Sequence, residues 1–365
     1  MKIITDSTPK RDGYRMPGEF EPHDGCWLIW PERQDNWRLG AKPAQEAFKQ
    51  VIAAISRFEK VRVAVGAGQY EHVRSELPPQ VKIVEMSSND CWMRDCGPVF
   101  VKNKKDDIRG VNFEFNAWGG LYDGLYFPWD KDSQIAEKVC EIEEKDVYQA
   151  DGFVLEGGSF HCDGEGTLLT TEECLLSPGR NPQLNRAQIE RKLSDYLGVE
   201  KVIWIQRGLD PNETNGHIDL VCCFARPGVV VTAWTEKKSN PYYEICREAY
   251  EILSKATDAR GRKLKIYRLE LPESAVRITA DESRGVDTAV KTAPRKEGDL
   301  LPASYINYYS ANGGIIVPQF GDPNDGKAIQ TLSEIYPDRQ VVGVFAREIL
   351  LGGGIIHCIT QQVPR

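Results

Sequence analysis

The stretch "NRAQIERKLSDYLGVEKVIWIQR", residues 185–207, combines the two elements that decide the fold. Apolar residues recur every three or four positions over 185–197, which predicts an amphipathic helix with Asn185 as its N-cap. The run "KVIWIQR" that follows is rich in β-branched and aromatic residues, which predicts a buried strand. A helix that leads directly into a strand is the basic unit of an α/β protein.

The same unit occurs four more times along the chain. Further helices are predicted over 43–58, 132–144, 240–256 and 325–336, with Asp132, Asn240 and Asp325 as N-caps, ahead of the strands "VRVAVG", "DVYQA", "KLKIYRLEL" and "QVVGVFA". Repetition of one supersecondary unit is typical of a cyclic or stacked architecture. We therefore expect an α/β fold in which residues 1–365 form a single domain of about five strand–strand–helix–strand repeats.

Composition limits the classes of function. The 365 residues carry 46 Lys and Arg against 54 Asp and Glu, a net charge of −8, which disfavours binding to nucleic acid or anionic membrane and suits a cationic substrate. No apolar run reaches about 18 residues, so we expect no membrane span, and the N-terminus lacks the apolar core of a signal peptide. The ten cysteines follow no regular framework, which predicts free thiols in a cytoplasmic protein.

Five polar stretches carry the residues that could perform chemistry. Each one joins glycine or a small polar residue to a new apolar run; they are "WMRDCGPVFV" (92–101), "FVLEGGSFHC" (153–162), "ETNGHIDLVCCF" (213–224), "SANGGIIVPQF" (310–320) and "GGGIIHCITQQ" (352–362). Asp95, Glu156 and His217 follow one another at equal intervals of 61 residues, and Gly313 and Cys358 represent the last two stretches. If the repeats are equivalent, these positions converge on one site.

Cys358 is the candidate nucleophile, because a thiol needs only a base and a suitable electrostatic setting, and the adjacent glycines allow close approach of a ligand. His357 would point to the opposite face of a strand from Cys358, so the base is expected elsewhere. His217 and Asp219 lie two residues apart and would share one face of a strand, which favours His217 as general base.

The spacing of His217 and Asp219 also occurs in metal sites, but the cysteine spacing argues against zinc and the glycine spacing against a nucleotide. Cys91 and Cys96 are five residues apart and Cys222 and Cys223 are adjacent, neither of which fits a zinc site. The glycine stretches lack the pattern of phosphate-binding loops, and no serine-hydrolase elbow is present. We therefore expect neither a metal nor an organic cofactor.

Several carboxylates around one thiol suit the attack of a nucleophile on a cation. Neutralising a guanidinium group at pH 7 would cost on the order of 7–8 kcal/mol, whereas carboxylates that match its N–H donors hold it charged and keep its central carbon electrophilic. Cys358 could add to that carbon, and His217 could protonate the departing nitrogen and later activate water.

At this level of detail the chain resembles the agmatine deiminase family. The resemblance runs from residue 14 to the end and is carried by "YRMPGEFEPHDGCWLIWP" (14–31), "NDCWMRDCGPVFV" (89–101), "LEGGSFHCDGEGTLLTTEECLL" (155–176), "NETNGHIDLVCCF" (212–224) and "GGGIIHCITQQVP" (352–364). That family belongs to the guanidino-modifying enzymes. The resemblance implies a pentein fold, a five-bladed pseudo-symmetric α/β propeller with the active site on its central axis.

The resemblance also implies a reaction and a catalytic set. The expected reaction is hydrolysis of agmatine to N-carbamoylputrescine and ammonia, in polyamine metabolism and without cofactor or metal. Cys358 matches the nucleophile that forms a thiouronium-type intermediate, and His217 matches the general acid and base. Glu156 matches the carboxylate that supports this histidine, and Asp95 and Asp219 match the pair that grips the guanidinium group.

Two more residues are implied to bind the rest of the substrate. Trp92 would flank its aliphatic stem, and Glu213 would contact the distal amine of agmatine and repel the carboxylate of arginine. No arginine in the adjoining motif is placed to receive such a carboxylate, although one could fold in from 260–300. The resemblance implies a homo-oligomer, a dimer or tetramer. The long polar segment 274–300 is expected to be either a lid over the site or a surface loop.

Other functions stay open at this point. The chain could act on arginine or a methylated arginine, or transfer an amidino group instead of hydrolysing it. Some pentein proteins are non-catalytic and bind ribosomal subunits. That alternative predicts a lost nucleophile and a basic surface, whereas this chain has Cys358 and is acidic.

Overall fold

The computed structural model describes residues 1–210, 212–288 and 295–365. The strands are β1 (Ile3–Ile4), β2 (Tyr14–Arg15), β3 (His23–Ile29), β4 (Lys60–Val65), β5 (Lys82–Glu85), β6 (Val99–Asn103), β7 (Ile108–Glu114), β8 (Val147–Val154), β9 (Phe160–Cys162), β10 (Thr167–Thr171), β11 (Lys201–Ile205), β12 (Cys222–Arg226), β13 (Val229–Trp234), β14 (Lys265–Glu270), β15 (Tyr309–Ala311), β16 (Gly314–Gln319), β17 (Gln340–Phe345) and β18 (Gln361–Pro364). The α-helices are α1 (Lys42–Ile55), α2 (Tyr70–Glu76), α3 (Met93–Cys96), α4 (Gly120–Asp123), α5 (Ile135–Ile142), α6 (Glu172–Leu175), α7 (Arg186–Leu197), α8 (Tyr243–Lys255), α9 (Asp325–Ile335) and α10 (Arg347–Leu350). Short 3-10 helices lie at Leu39–Ala41, Ala67–Gln69, Asp132–Gln134, Gly157–Ser159 and Ile218–Leu220.

The strands form five sheets that share one connectivity. In each sheet an antiparallel pair is followed by a helix and then by a strand that pairs in parallel; the series are β6-β7-α5-β8, β9-β10-α7-β11, β12-β13-α8-β14, β15-β16-α9-β17 and β18-β3-α1-β4. Parallel strands need such a crossover, and the helix covers one face of the sheet. In the last series β18 from the end of the chain pairs with β3 near its start, with Gln361 opposite Trp27.

The sequence-based prediction of an α/β fold with five helix–strand units is therefore confirmed. Each predicted helix and the strand after it are present within a few residues of the expected bounds. The arrangement of the five sheets as a closed propeller around one axis, and their organisation as a single domain, stay predictions.

One predicted helix cap is confirmed and three are wrong. Asn185 caps α7 in a reciprocal capping box with Gln188. Asp132 and Asp325 are instead the first residues of their helices, and α8 begins after Tyr242 rather than after Asn240. The Asp132 and Asp325 carboxylates accept hydrogen bonds from backbone N–H groups outside their helices, so these side chains fix loops.

The segments just before the first strand of each sheet carry the polar residues of interest. Asp95 lies in α3 ahead of β6, and 157–159 and 218–220 precede β9 and β12. In the fourth repeat the sequence suggested Gly313, which is wrong. Gly313 lies in the turn between β15 and β16 with a φ of +74°, whereas Asn307 takes the position ahead of β15.

Within residues 1–210, 212–288 and 295–365, no helix is both long enough and apolar enough to cross a membrane. All ten cysteines are buried free thiols, as the irregular spacing predicted.

Candidate active site

A cavity of about 330 Å³ opens next to Cys358. Four of the predicted site residues line it, namely Trp92, Asp95, Glu213 and Cys358. The other three, Glu156, His217 and Asp219, are fully buried and do not line it. The cavity is thus a channel whose inner end meets a layer of buried polar side chains.

The glycines before Cys358 form one wall of this channel. A Cβ atom on Gly354 would lie 2.5 Å from Cζ3 of Trp92 and 2.9 Å from Cβ of Cys358. Gly353 has a φ of +111°, which disfavours any other residue, and a Cβ there would overlap Oε2 of Glu213. Two adjacent glycines therefore lie against different parts of the channel, Gly354 beside Cys358 and Gly353 beside Glu213.

Cys358 lies among hydrogen-bonding and acidic groups. Its Sγ is 3.3 Å from the Nδ2 donor of Asn307, and its thiol donates to Oδ2 of Asp219 over 3.5 Å. Burial raises the pKa of the thiol well above its usual value, and the negative charges of Asp219 and Asp95 raise it further. The neutral thiol is the stable form of Cys358 in this setting.

Asp95, His217 and Asp219 converge around Gly158. The backbone N–H of Gly158 donates to Oδ1 of Asp95 over 2.8 Å, and Nε1 of Trp118 donates to its Oδ2 over 3.0 Å. A Cβ on Gly158 would lie 2.6 Å from Nδ1 of His217 and 3.0 Å from Oδ2 of Asp219. Burial raises the pKa of Asp95 above its ordinary value, although His217 opposes the shift. The structure thus brings together three residues that the sequence placed in one site.

The local geometry differs from the predicted strands. His217 directly precedes the 3-10 helix Ile218–Leu220, and Asp219 is the second residue of that helix. The two residues therefore do not share a strand face. Cys358 precedes β18 and lies in a turn, so the strand argument about His357 was also wrong.

His357 forms a buried hydrogen bond with Asp219. Its Nδ1 is 2.9 Å from Oδ2 of Asp219, and both side chains are buried. Burial alone would raise the pKa of Asp219, but the hydrogen bond and charge of His357 outweigh it and lower the pKa. Asp219 is therefore ionised beside Cys358.

A second buried carboxylate lies behind His357. Nε2 of His357 is 3.0 Å from Oε1 of Glu19, which also pairs with Arg94 at 3.1 Å and approaches His161 at 3.5 Å. Burial would raise the pKa of Glu19, yet these three neighbours hold it well below its usual value. Glu19 thereby fixes His357, which fixes Asp219.

Glu156 is paired with a buried arginine. Nε of Arg180 lies 2.6 Å from Oε1 of Glu156, and neither side chain is exposed. The N–H group is not aimed at that oxygen, so the contact is an ion pair rather than an aligned hydrogen bond. Arg180 also donates to Oδ1 of Asn215 over 2.6 Å and to the carbonyl oxygens of Thr214 and Trp118. One guanidinium group therefore ties Glu156 to the loop that presents His217.

Glu213 also has a partner that the adjoining motif did not reveal. Arg295 donates from Nε and Nη2 to the two carboxylate oxygens of Glu213, each over 2.7 Å. The same guanidinium donates to the carbonyl oxygens of Leu351 and Gly352 over 2.9 Å. Glu213 is thus paired with an arginine from 260–300, the range from which the sequence left such an approach open.

Arg295 belongs to the segment 274–300. Ile278, Glu282 and Val286 from the same segment also line the channel. Residues 289–294 of this segment lie outside the described residues, and its role as a lid stays a prediction.

Trp92 contributes an aromatic wall. Its ring centroid lies 5.4 Å from that of Trp37 and 6.4 Å from that of Trp118. Both Trp92 and Trp37 donate from Nε1 to the buried Asp90, over 3.0 and 2.8 Å. Asp90 thereby sets the orientation of two indoles next to the nucleophile.

Comparison with known proteins gives the family. The Porphyromonas-type peptidyl-arginine deiminase model matches residues 15–364. The chain belongs to this family. A protein of Listeria monocytogenes that is provisionally named agmatine deiminase 1 is 60% identical over 360 residues, 99% of each chain.

Solved members of the family share the fold. The structure described as agmatine deiminase of Enterococcus faecalis catalysing its reaction is 55% identical and covers 100% of both chains, with a TM-score of 0.98. A variant of the C. jejuni agmatine deiminase with substrate bound is 25% identical and covers 96% of both chains, with a TM-score of 0.82. The chain is thus similar along its whole length to proteins described as agmatine deiminases.

Proposed function

We propose that the chain hydrolyses agmatine to N-carbamoylputrescine and ammonia in putrescine metabolism, with Cys358 as the nucleophile. The observation that carries this proposal is the position of the Cys358 thiol beside Asp219 and near Asp95, at the inner end of a channel. Two carboxylates around a thiol suit a cationic carbon centre. The relatives described as agmatine deiminases support the choice of agmatine.

Substrate binding would activate the nucleophile. The guanidinium group would lie between Asp95 and Asp219, whose oxygens accept from its N–H groups. Its positive charge would offset the two carboxylates that now raise the pKa of Cys358. The thiol then loses its proton more easily once substrate is present. This coupling protects the thiol from other electrophiles between turnovers.

The reaction follows from these positions. The proton of the Cys358 thiol passes to His217 as the sulfur forms a bond with the guanidinium carbon. His217 donates this proton to one terminal nitrogen, and ammonia leaves with the electron pair of the broken C–N bond. His217 then takes a proton from a water molecule that attacks the same carbon. The C–S bond breaks, the thiolate leaves, and the product is the substituted urea. Glu156 would hold His217 in place, and no metal or organic cofactor is required.

The rest of the substrate would extend along the channel. The aliphatic stem would lie against Trp92, and the distal amine would reach Glu213. Because Arg295 already pairs with Glu213, the ammonium group of agmatine has to share or displace that contact. A substrate with a carboxylate at this end would meet the negative charge of Glu213 and the positive charge of Arg295 together. Selectivity between agmatine and arginine therefore depends on whether the Glu213–Arg295 ion pair opens.

Several wider features belong to the same proposal. Residues 1–365 would form one catalytic domain with the pentein arrangement, which the shared connectivity of the five sheets supports. The protein would act in the cytoplasm as a homo-oligomer.

The direct test is an assay of both products. The purified chain should release ammonia and N-carbamoylputrescine from agmatine in equal amounts, with little release from arginine. Cys358→Ala should abolish the reaction, whereas Cys246→Ala, a change of another buried cysteine in α8, should retain it. Release of ammonia from arginine but not from agmatine would mean that arginine is the substrate of the same cysteine-dependent reaction. Release of putrescine without ammonia would indicate amidino transfer and contradict the proposal.

A further inference from the structure

Cys174 lies beside two residues of the proposed catalytic set. One ligand atom each from Glu156, Cys174 and His217 lie within 4.8 Å of one another, and all three side chains are buried. The residues come from three different segments. Intervals of 18 and 43 residues separate them in the sequence, so no short motif reveals the cluster.

Polar atoms in this cluster lack hydrogen-bond partners. Nε2 of His217 and both carboxylate oxygens of Glu156 are buried without one among the described residues. Buried polar atoms of this kind are rare in folded proteins and call for an explanation. For Oε1 of Glu156 the ion pair with Arg180 is a partial explanation, but for Oε2 of Glu156 and Nε2 of His217 none is apparent. A cation bound through these two atoms would satisfy both.

The donor set and its dimensions suit zinc. Thiolate, imidazole and carboxylate are the three ligand types that zinc takes in proteins, at about 2.3 Å for sulfur and about 2.0–2.2 Å for nitrogen and oxygen. Three atoms separated by at most 4.8 Å have a common centre no more than about 2.8 Å from each. A contraction of roughly 0.5–0.8 Å per ligand would therefore complete three zinc bonds.

The local charge also favours a divalent cation. Arg180 supplies one positive charge next to Glu156, while Asp95 and Asp219 add two carboxylates close to His217. With Glu156 included, three carboxylates and one arginine lie close to the cluster. Asp95 lines the channel and interacts electrostatically with both Glu156 and His217, so a cation in the channel beside Asp95 is close to the cluster.

We propose that Glu156, Cys174 and His217 form a binding site for zinc, and that occupation of this site blocks catalysis. The metal would not be a cofactor. Zinc forms a bond to the Cys174 sulfur, and the thiol proton leaves to the solvent. The same ion would take the lone pair of His217 that proton transfer requires. The blocking effect rests on the proposed function, whereas the binding itself does not.

Cobalt(II) binding to the Cys358→Ala variant tests the site directly, because that variant removes the Cys358 thiol that lines the channel. We expect one equivalent of Co²⁺ to bind with a sulfur-to-cobalt charge-transfer band in the near ultraviolet, and Zn²⁺ to displace it. The band should be absent from Cys358→Ala/Cys174→Ala and from Cys358→Ala/Cys174→Ser, and present in the matched control Cys358→Ala/Cys246→Ala. Thermal unfolding shows which variants are folded.

Activity supplies the second measurement. Zinc should inhibit agmatine turnover by the wild-type chain, and a chelator should restore it. In Cys174→Ala the zinc concentration for half inhibition, compared with that variant's own zinc-free rate, should rise at least tenfold. Absence of the cobalt band in folded Cys358→Ala, or an equal band without Cys174, would overturn the proposal. If the chain turns over no agmatine, the cobalt spectra still decide the binding site.

Discussion

Nε of Arg180 lies 2.6 Å from Oε1 of Glu156, and both side chains are completely buried. Two charges in such a place are costly unless each compensates the other. The same guanidinium reaches Asn215 and Thr214, so the pair links the carboxylate of one repeat to the histidine loop of the next. Electrostatic balance and the position of His217 thus depend on one arginine.

We predict that Arg180→Met destabilises the fold by about 3–5 kcal/mol and removes most activity, because Glu156 is left as an uncompensated buried charge. Denaturant unfolding and kcat measure the two effects. The double variant Glu156→Gln/Arg180→Met should recover stability but not activity. As a control, Arg186→Met removes a partly exposed ion pair with Glu172 and should change little. Equal effects of Arg180→Met and Arg186→Met would contradict the account.

The glycine wall gives a steric prediction. Gly354→Ala places a methyl group 2.5 Å from Trp92 and 2.9 Å from Cβ of Cys358, so it should cost about 1–3 kcal/mol of stability and strongly lower kcat. Gly326→Ala is the matched control, since it lies in α9 with nothing within 4 Å of a new Cβ. That change should stabilise the protein slightly. Full activity in Gly354→Ala would show that the channel wall is not fixed as described.

The Glu213–Arg295 pair predicts a separation of kinetic effects. Glu213→Gln removes the acid and leaves the charge of Arg295 facing the distal amine of agmatine. KM should rise tenfold or more, as expected for the loss of a charged contact of about 1.4 kcal/mol, with a smaller change in kcat. Glu213→Gln/Arg295→Gln should recover part of the increase. An unchanged KM in Glu213→Gln would exclude this acid from substrate binding.

The electrostatics of Cys358 predict a pH effect in the protein without substrate. The carboxylate of Asp219 disfavours the thiolate, so Asp219→Asn should lower the pKa of the thiol. Alkylation of Cys358 by iodoacetamide, followed by peptide mass spectrometry, should then have its midpoint at lower pH than in the wild-type chain. The exposed Asp281→Asn is the control and should leave the profile unchanged. A midpoint of alkylation at higher pH in Asp219→Asn would contradict the proposed effect of Asp219 on the pKa of the Cys358 thiol.

The buried His357 predicts how stability changes with pH. Burial and Arg94 lower its pKa, but Glu19 and Asp219 raise it above the usual value overall. A raised folded pKa gives stability that is fully present below about 6.5, the unfolded value, and is lost as the pH rises through the folded pKa. His357→Gln should therefore cost most near pH 6 and less at alkaline pH, measured by denaturant unfolding. A cost that grows with pH would contradict a protonated His357.

The sequence predicts the helix–strand units well because their signals are local. Periodicity over 185–197 and the apolar run after it need no knowledge of the remaining chain. Like positions in repeated units predict that Asp95 and His217 converge, and the resemblance adds Asp219 to them. The structure adds the reason, since all three meet around Gly158.

What the sequence missed depends on long-range contacts. Nothing in "SPGRNP" distinguishes the buried Arg180 from a surface arginine, and Arg295 reaches Glu213 across 82 residues. The sequence does not reveal Asn307, because the glycines at 313–314 resemble those before Cys358 although they lie at a hairpin turn. A strand would place His357 opposite Cys358, whereas the chain turns at these residues.

The central claim is that Cys358 bonds covalently to the guanidinium carbon, and acid-quench mass spectrometry tests it most directly. The wild-type chain mixed with agmatine and quenched during turnover should carry an added mass equal to agmatine minus ammonia, located on the peptide that contains Cys358. No adduct should form in Cys358→Ala. Turnover with no adduct at any quench time, or an adduct on another residue, would contradict the account.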